Sequence, residues 1–414
     1  MIKPLYSAAS PDPRLARYLS DFPEDLFTPQ LFRSVALAQG YARAHALVLL
    51  GDLALVDLLG DWCSAHELLQ RRGFVAGFYH PLVWVLETAV EAGALAAEGE
   101  AGDRRYRLLD ASAPAFGSSQ LPALRSTALE NDASIGATLD LLDTAAAAHA
   151  AVAAGRLRGE DALFGMGQLD LWQRYFNNHN RLYAVNNRVS ATAAALRLAE
   201  STPNGPLRVL EIGAGTGSGT EALLHALALH GLSDRIGQYI VSEPNAFFRR
   251  RAERMLRAAY PNLPLKFQSL DIDKPWTEAL PEGSRFDLIF GVNVMHVAND
   301  LRFSLDEARD HLADDGWLVA GECLRPFPHQ PIYAELMFQI LDSYVGVQTD
   351  AEIRPNPGFL TPELWTAALA AAGYQRIEIV PDPVPIREIY SWFFVGALCA
   401  QGTARTDPGD AVAR

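Results

Sequence analysis

The sequence predicts an α/β fold, a doubly wound, mostly parallel sheet of seven strands in the C-terminal half, preceded by a mainly helical N-terminal region. Three observations carry this. From Pro206 to about Cys399, apolar runs of strand length alternate with helical patterns, as a sheet covered on both faces requires. The first run, Leu207 to Leu210, passes through Glu211-Ile212-Gly213-Ala214-Gly215-Thr216-Gly217 into a helical stretch, Ser218 to Leu229. The last two runs, Gln375 to Val380 and Tyr390 to Leu398, are joined by a proline-rich link of about nine residues. That is too short for a helical crossover, so they are expected as antiparallel neighbours, with a reversed strand at the sheet edge.

A glycine-rich turn between strand and helix lets the backbone approach a ligand closely, because glycine lacks a Cβ and tolerates positive φ. A dinucleotide fingerprint wants G-x-G-x-x-G with the helix start aimed at a pyrophosphate. Here the spacing is G-x-G-x-G, preceded by the acidic Glu211. This E-x-G-x-G-x-G pattern resembles motif I of class I S-adenosylmethionine-dependent methyltransferases, whose Rossmann-like sheet has seven strands with one reversed. Their cofactor carries a sulfonium cation and no phosphate, so carboxylates near the loop make electrostatic sense.

Three later strand ends match the same resemblance. The second strand, Gln238 to Ser242, ends at Glu243, where the family places a carboxylate that accepts from the ribose hydroxyls. The third, Leu265 to Leu270, ends at Asp271, matching the acidic residue beside the adenine, and the fourth, Phe286 to Gly291, leads into Asn293 and His296. Acidic residues after strands also cap helices, and Glu243-Pro244 could be only a helix start. Four such ends in register, where open α/β sheets bind ligands, favour a cofactor site made of Glu211, Gly213, Gly215, Gly217, Glu243, Asp271 and Asn293.

At 414 residues the chain should hold two domains or one large one. Its net charge of -14 sets the overall field against a nucleic-acid partner, and Arg249-Arg250-Arg251 reads as a solvated helix face. Cys63, Cys323 and Cys399 are far apart, odd in number and without metal spacing, which fits a reduced, cytoplasmic protein with no metal site. Met1 to Arg14 has prolines and charges where a signal peptide needs an apolar run. The apolar stretch His45 to Trp62 is broken by Asp52, Asp57 and Asp61, so it reads as a buried or dimer-forming helix pair and no membrane partner is expected.

Four segments are expected: residues 1–112, helical; 113–200, a helical connector and active-site lid; 201–401, the cofactor-binding domain; and 402–414, a polar, disordered tail. Within the first, Leu68 to Arg72, Pro81 to Ala92 and the strand pair around Ala94 to Leu109 give helix, helix and a small β-wing. A DNA-reading helix would carry Arg, Lys, Asn or Gln toward base edges, and Pro81 to Ala92 carries none. The layout resembles the winged-helix dimerisation domain of small-molecule O-methyltransferases and implies a homodimer. In the connector, Pro114, Gly117, Ser118, Ser119 and Pro122 read as a loop and Thr144 to Ala154 as a helix. The aromatic, amide-rich stretch Leu171 to Asn180 suits either a lid or an interdomain packing helix.

His296 follows the fourth strand and Glu322 ends the fifth, Val319 to Glu322, so both meet on the face that carries the glycine loop. Histidine, with an ordinary pKa of about 6.5, can take a proton at neutral pH, and a carboxylate fixes its tautomer and stabilises the imidazolium. The plainer reading is a buried histidine bonded to a carboxylate for stability. From Leu163 to about Tyr344 the chain resembles the methyltransferase domains of polyketide synthases, through the glycine loop, Leu270-Asp271-Ile272 and the histidine of Asn293-Val294-Met295-His296, followed by Glu322. That resemblance implies catalytic His296 and Glu322 with S-adenosyl-L-methionine as cofactor. His296-Val297-Ala298 departs from the His-Asp-Trp usual in O-methyltransferases, whereas the N-terminal region favours them.

The expected reaction is methyl transfer to an oxygen of a small, polyketide-like acceptor, free or carrier-protein-bound. The alternatives are transfer to an activated carbon, and a non-catalytic winged-helix regulator that senses the cofactor; a nicotinamide oxidoreductase is disfavoured by the glycine spacing. Candidate acceptor contacts are Tyr175, Asn178, His179, Phe327, Tyr333 and Met337, residues that would equally suit packing.

Overall fold

The computed structural model describes residues 12–100, 103–201 and 205–402; the expected tail, beyond Gly402, lies outside them. The N-terminal region carries a small sheet of β1 (Cys63–Ser64), β2 (Leu95–Glu98) and β3 (Arg105–Leu108), all antiparallel, in the order β1-β3-β2. Helices Ala65–Arg72 and Tyr79–Glu91 lie between β1 and β2, so the helix, helix, hairpin order is present. Ser64 starts the first of them with a reciprocal capping box to Glu67, and left-handed Gly73 stops it.

Two readings of this region change. In place of a helix pair over His45 to Trp62, one helix, Pro29–Asp52, ends at Leu53, and Ala54 takes a positive φ of 53° that cannot continue it. The stretch read as a loop is the helix Ala113–Asn131. Pro114 sits in its first turn, where no N–H is needed. A Cβ on Gly117 would stand 2.6 Å from the Ala44 carbonyl oxygen, so this glycine lets two helix backbones approach.

The large sheet contains β4 (Leu207–Ile212), β5 (Ile236–Ser242), β6 (Leu265–Gln268), β7 (Phe286–Val292), β8 (Leu312–Cys323), β9 (Gln375–Val380) and β10 (Val395–Gln401). Their order is β6-β5-β4-β7-β8-β10-β9. β10 is antiparallel to both neighbours, so the reversed strand lies one place in from the edge rather than at it, and β9 takes the edge. The link between them does hold a short helix, Pro383–Ile389, but it turns the chain back instead of crossing the sheet.

Both faces of the sheet are buried, which is why its strands read as continuous apolar runs. Val209, Leu288, Phe290 and Val319 belong to one core, and Leu210, Ile289, Leu318 and Leu398 to the other. Helix Arg181–Ser201 lies directly on β8, where a Cβ on Gly321 would meet Ser190 Oγ at 1.9 Å. The chain winds outward from β4 to β6 and then returns to β7 beside β4. That switch in direction opens a crevice at the C-terminal ends of these two strands.

Candidate active site

The glycine turn follows β4 at this crevice. Gly213, Gly215 and Gly217 have φ of 61°, 54° and 91°, values a side chain would strain. A Cβ on Gly213 would strike Val294 Cγ2 at 2.4 Å, whereas one on Gly215 meets nothing within 4 Å. The loop is thus packed against the turn after β7 on one side and open beside Gly215, the cradle a cofactor needs.

Glu243, just past β5, closes the other wall. Its carboxylate accepts from the amides of Gly215 at 2.9 Å and Asn245 at 2.8 Å, and burial raises its pKa. Asp271 lies beyond β6, partly exposed and paired with Lys274 at 3.1 Å. Asn293 takes a left-handed turn with φ 55°, which asparagine tolerates, and accepts from the Cys323 amide at 3.0 Å, binding the ends of β7 and β8 together. Glu211 is placed differently. It is buried behind the loop, accepts from Thr220 Oγ1 and Tyr239 Oη at 2.7 Å each, and burial pushes its pKa up to about 7. It braces the loop helix against the sheet and does not face the open side.

His296 sits in the turn after β7, 4% exposed, with Nδ1 2.7 Å from Glu322 Oε2. Glu322 is fully buried, and its Oε1 accepts from the amides of Met295 at 2.8 Å and Val294 at 3.2 Å. A carboxylate held in this way fixes the proton on Nδ1 and leaves Nε2 as the basic nitrogen. Buried Arg354, from a segment with no motif, donates to the carbonyls of His296 and, at 2.5 Å, Ala298, and so holds the turn. Burial lowers its pKa to about 10.

His296 and Asn293 line a cavity of about 290 Å3 with Tyr175, Phe176, Tyr183, Cys323, Phe338, Tyr344 and Phe359 among its walls. The ring of Phe359 stands 4.5 Å from that of His296. The connector contributes Tyr175, Phe176 and Tyr183 to this cavity and is tied to the glycine loop: Thr216 Oγ1 donates to the Phe176 carbonyl at 2.7 Å, and Asn178 Nδ2 donates to that of Ser218 at 2.9 Å. The stretch Leu171 to Asn180 thus packs on the glycine loop and lines the cavity through Tyr175 and Phe176.

Of the six candidate acceptor contacts, only Tyr175 lines the cavity. Asn178 is committed to the loop helix, and His179 is exposed. Phe327 lies under the Arg387 guanidinium, Tyr333 packs on Phe394, and Met337 is buried in the core, because the short helix Glu335–Phe338 turns Phe338 inward instead. Sequence reasoning missed Tyr183, Tyr344 and Phe359; Cys323 had a usable signal, being next to Glu322. Among the described residues no group of three or more His, Cys, Asp or Glu is placed to hold a metal ion, and no helix is long and apolar enough to cross a membrane.

Residues 210–318 match the model of a methyltransferase domain. Among curated proteins, the chain is 28% identical over 243 residues to the polyketide synthase ThaQ of Burkholderia thailandensis, an alignment covering 57% of this chain and 11% of that protein. Among solved structures it resembles the DszA carbon methyltransferase, with TM-score 0.73 and 21% identity, covering 97% of this chain and 100% of that one. It also resembles the CurJ carbon methyltransferase, with TM-score 0.69 and 20% identity, covering 94% and 98%. The trans-methyltransferase CalH in complex with SAH aligns with TM-score 0.60 and 18% identity, over 89% and 92%.

Proposed function

We propose that this chain, a class I S-adenosylmethionine-dependent methyltransferase of polyketide biosynthesis, transfers its methyl group to an activated carbon, the one between the two carbonyls of a β-ketoacyl thioester. Gly213, Gly215 and Gly217 with Glu243, Asp271 and Asn293 would hold the cofactor, Glu243 and Asp271 on the nucleoside side. When bound, S-adenosylmethionine supplies an electrophilic methyl on a sulfonium.

The observation that carries the reading is a single buried histidine–carboxylate pair facing a cavity walled by aromatic rings. An imidazole can take a proton from a carbon acid flanked by carbonyls, whereas an aliphatic alcohol is too weak an acid for it. His296 Nε2 removes the proton, and Glu322 stabilises the imidazolium. The rings hold the acyl chain and exclude water, and Phe176 and Tyr183 cover the acceptor from the connector. Holding donor and acceptor in contact can contribute about 7 to 11 kcal/mol. The full-length likeness to two carbon methyltransferases supports carbon over the oxygen acceptor expected from the sequence. The test is to supply methyl-labelled cofactor with a β-ketoacyl thioester and locate the label by NMR. The reading expects it on the α-carbon; label on an oxygen would replace it with O-methylation.

A further inference from the structure

A larger cavity, about 510 Å3, lies between the N-terminal helix and hairpin unit and the segment after β8. It is separate from the catalytic cavity but shares a wall with it. Gln339 lines the larger one, while its chain neighbours Phe338 and Leu341 line the catalytic one.

Two polar groups in its walls have no partner. Trp84, on helix Tyr79–Glu91, is 2% exposed and its Nε1–H donates to nothing; Gln339 is 4% exposed and its Oε1 accepts nothing. Orphaned buried polar groups are costly, and two of them lining one cavity are groups a ligand could satisfy. Apart from Glu100, which is exposed, the carboxylates and guanidinia lining the cavity are already matched. Glu87 is paired with Arg104 at 2.6 Å and accepts from Tyr106 Oη at 2.7 Å, while Arg325 is paired with buried Glu335 at 2.6 Å. An ionic ligand would therefore find no unmatched counter-charge among these residues. The ring of Tyr79 lies against that of His66, centroids 4.4 Å apart and tilted by 37°, and both line the cavity.

We infer that this cavity is a second binding site, for a neutral molecule bearing amide or hydroxyl groups, which bonds Trp84 Nε1 and Gln339 Oε1. The volume suits a ligand of that kind. The ligand is either the distal part of the acceptor or a separate molecule, and the inference does not depend on which atom is methylated.

Pantetheine, a neutral chain of amides and hydroxyls, serves as the probe. It is titrated calorimetrically into the full chain and into Trp84→Phe and Gln339→Leu, each checked for an unchanged melting temperature. Saturable binding to the wild type, weakened about three- to tenfold in each variant, is expected. Titration with S-adenosylhomocysteine should be unchanged in both, which separates this site from the cofactor's. Trp84 does not line the catalytic cavity, so a loss in Trp84→Phe cannot be laid to the methylation site. Competition with the β-ketoacyl acceptor would identify the bound group as the acceptor's distal part, and binding beside it as a separate molecule; both support the site. No binding to the wild type, or binding that both variants keep at full strength, would overturn it.

Discussion

Replacing Glu322 by Gln should disable the base while leaving the fold and cofactor site intact. Glu322 is fully buried and accepts three hydrogen bonds, from His296 Nδ1 at 2.7 Å and from the amides of Met295 at 2.8 Å and Val294 at 3.2 Å. A carboxamide has one acceptor oxygen. If it serves the two amides, its NH2 points at Nδ1, which must then accept; the ring proton moves to Nε2 and the basic nitrogen facing the cavity is lost. If the oxygen instead serves Nδ1, the NH2 faces two backbone donors, which is worse. Either way the imidazolium formed on proton transfer loses its buried counter-ion. Loss of the tautomer and of that stabilisation should lower kcat by about two to four decades. The assay is turnover of a β-ketoacyl thioester with S-adenosylhomocysteine affinity measured in parallel, where less than a twofold change is expected. A Glu322→Gln enzyme within a few-fold of wild-type kcat would refute the dyad and leave the plainer reading, a histidine buried for stability.

The glycines should separate by what lies beside them. Gly215→Arg fills open space, so calorimetry should show S-adenosylmethionine binding abolished with only the positive-φ strain, about 1–2 kcal/mol, against folding. Gly213→Ala adds a collision with Val294 to the same strain and should lower the melting temperature further. Glu211 supplies a pH test. Its folded pKa is raised to about 7, so the folded state holds a proton that the unfolded state releases at about 4.5, and the stabilisation is lost as pH rises between those values. Glu211→Gln cannot ionise, so its melting temperature relative to wild type should climb from pH 5 to pH 8. Buried His149, with its pKa lowered to about 4 by burial, acts in the opposite sense, so variant and wild type are compared at each pH.

Much of this site was legible because parallel sheets bring consecutive strand ends to one rim. Once the glycine loop located β4, register placed Glu243, Asn293, His296 and Glu322 at one rim, and the family resemblance supplied the roles expected of them. Glu211 shows where that logic stops. Strand side chains alternate, so Glu211 shares the face of Val209 and points to Thr220 on the covering helix rather than to the rim. Pro114 and Gly117 misled in another way, because the same residue types that break structure also start helices and let them pack closely. Tyr183, Tyr344 and Phe359 could not be found by pattern: each comes from a different segment, and each looks like any core aromatic until the chain is folded.

The most direct test of the central claim is the single-turnover rate of methyl transfer to a β-ketoacyl thioester by His296→Ala and wild type, at saturating S-adenosylmethionine. With His296 as the base, the variant should bind the cofactor as well as wild type and transfer its methyl about two to four decades more slowly. Transfer at the wild-type rate, with cofactor affinity unchanged, would contradict it.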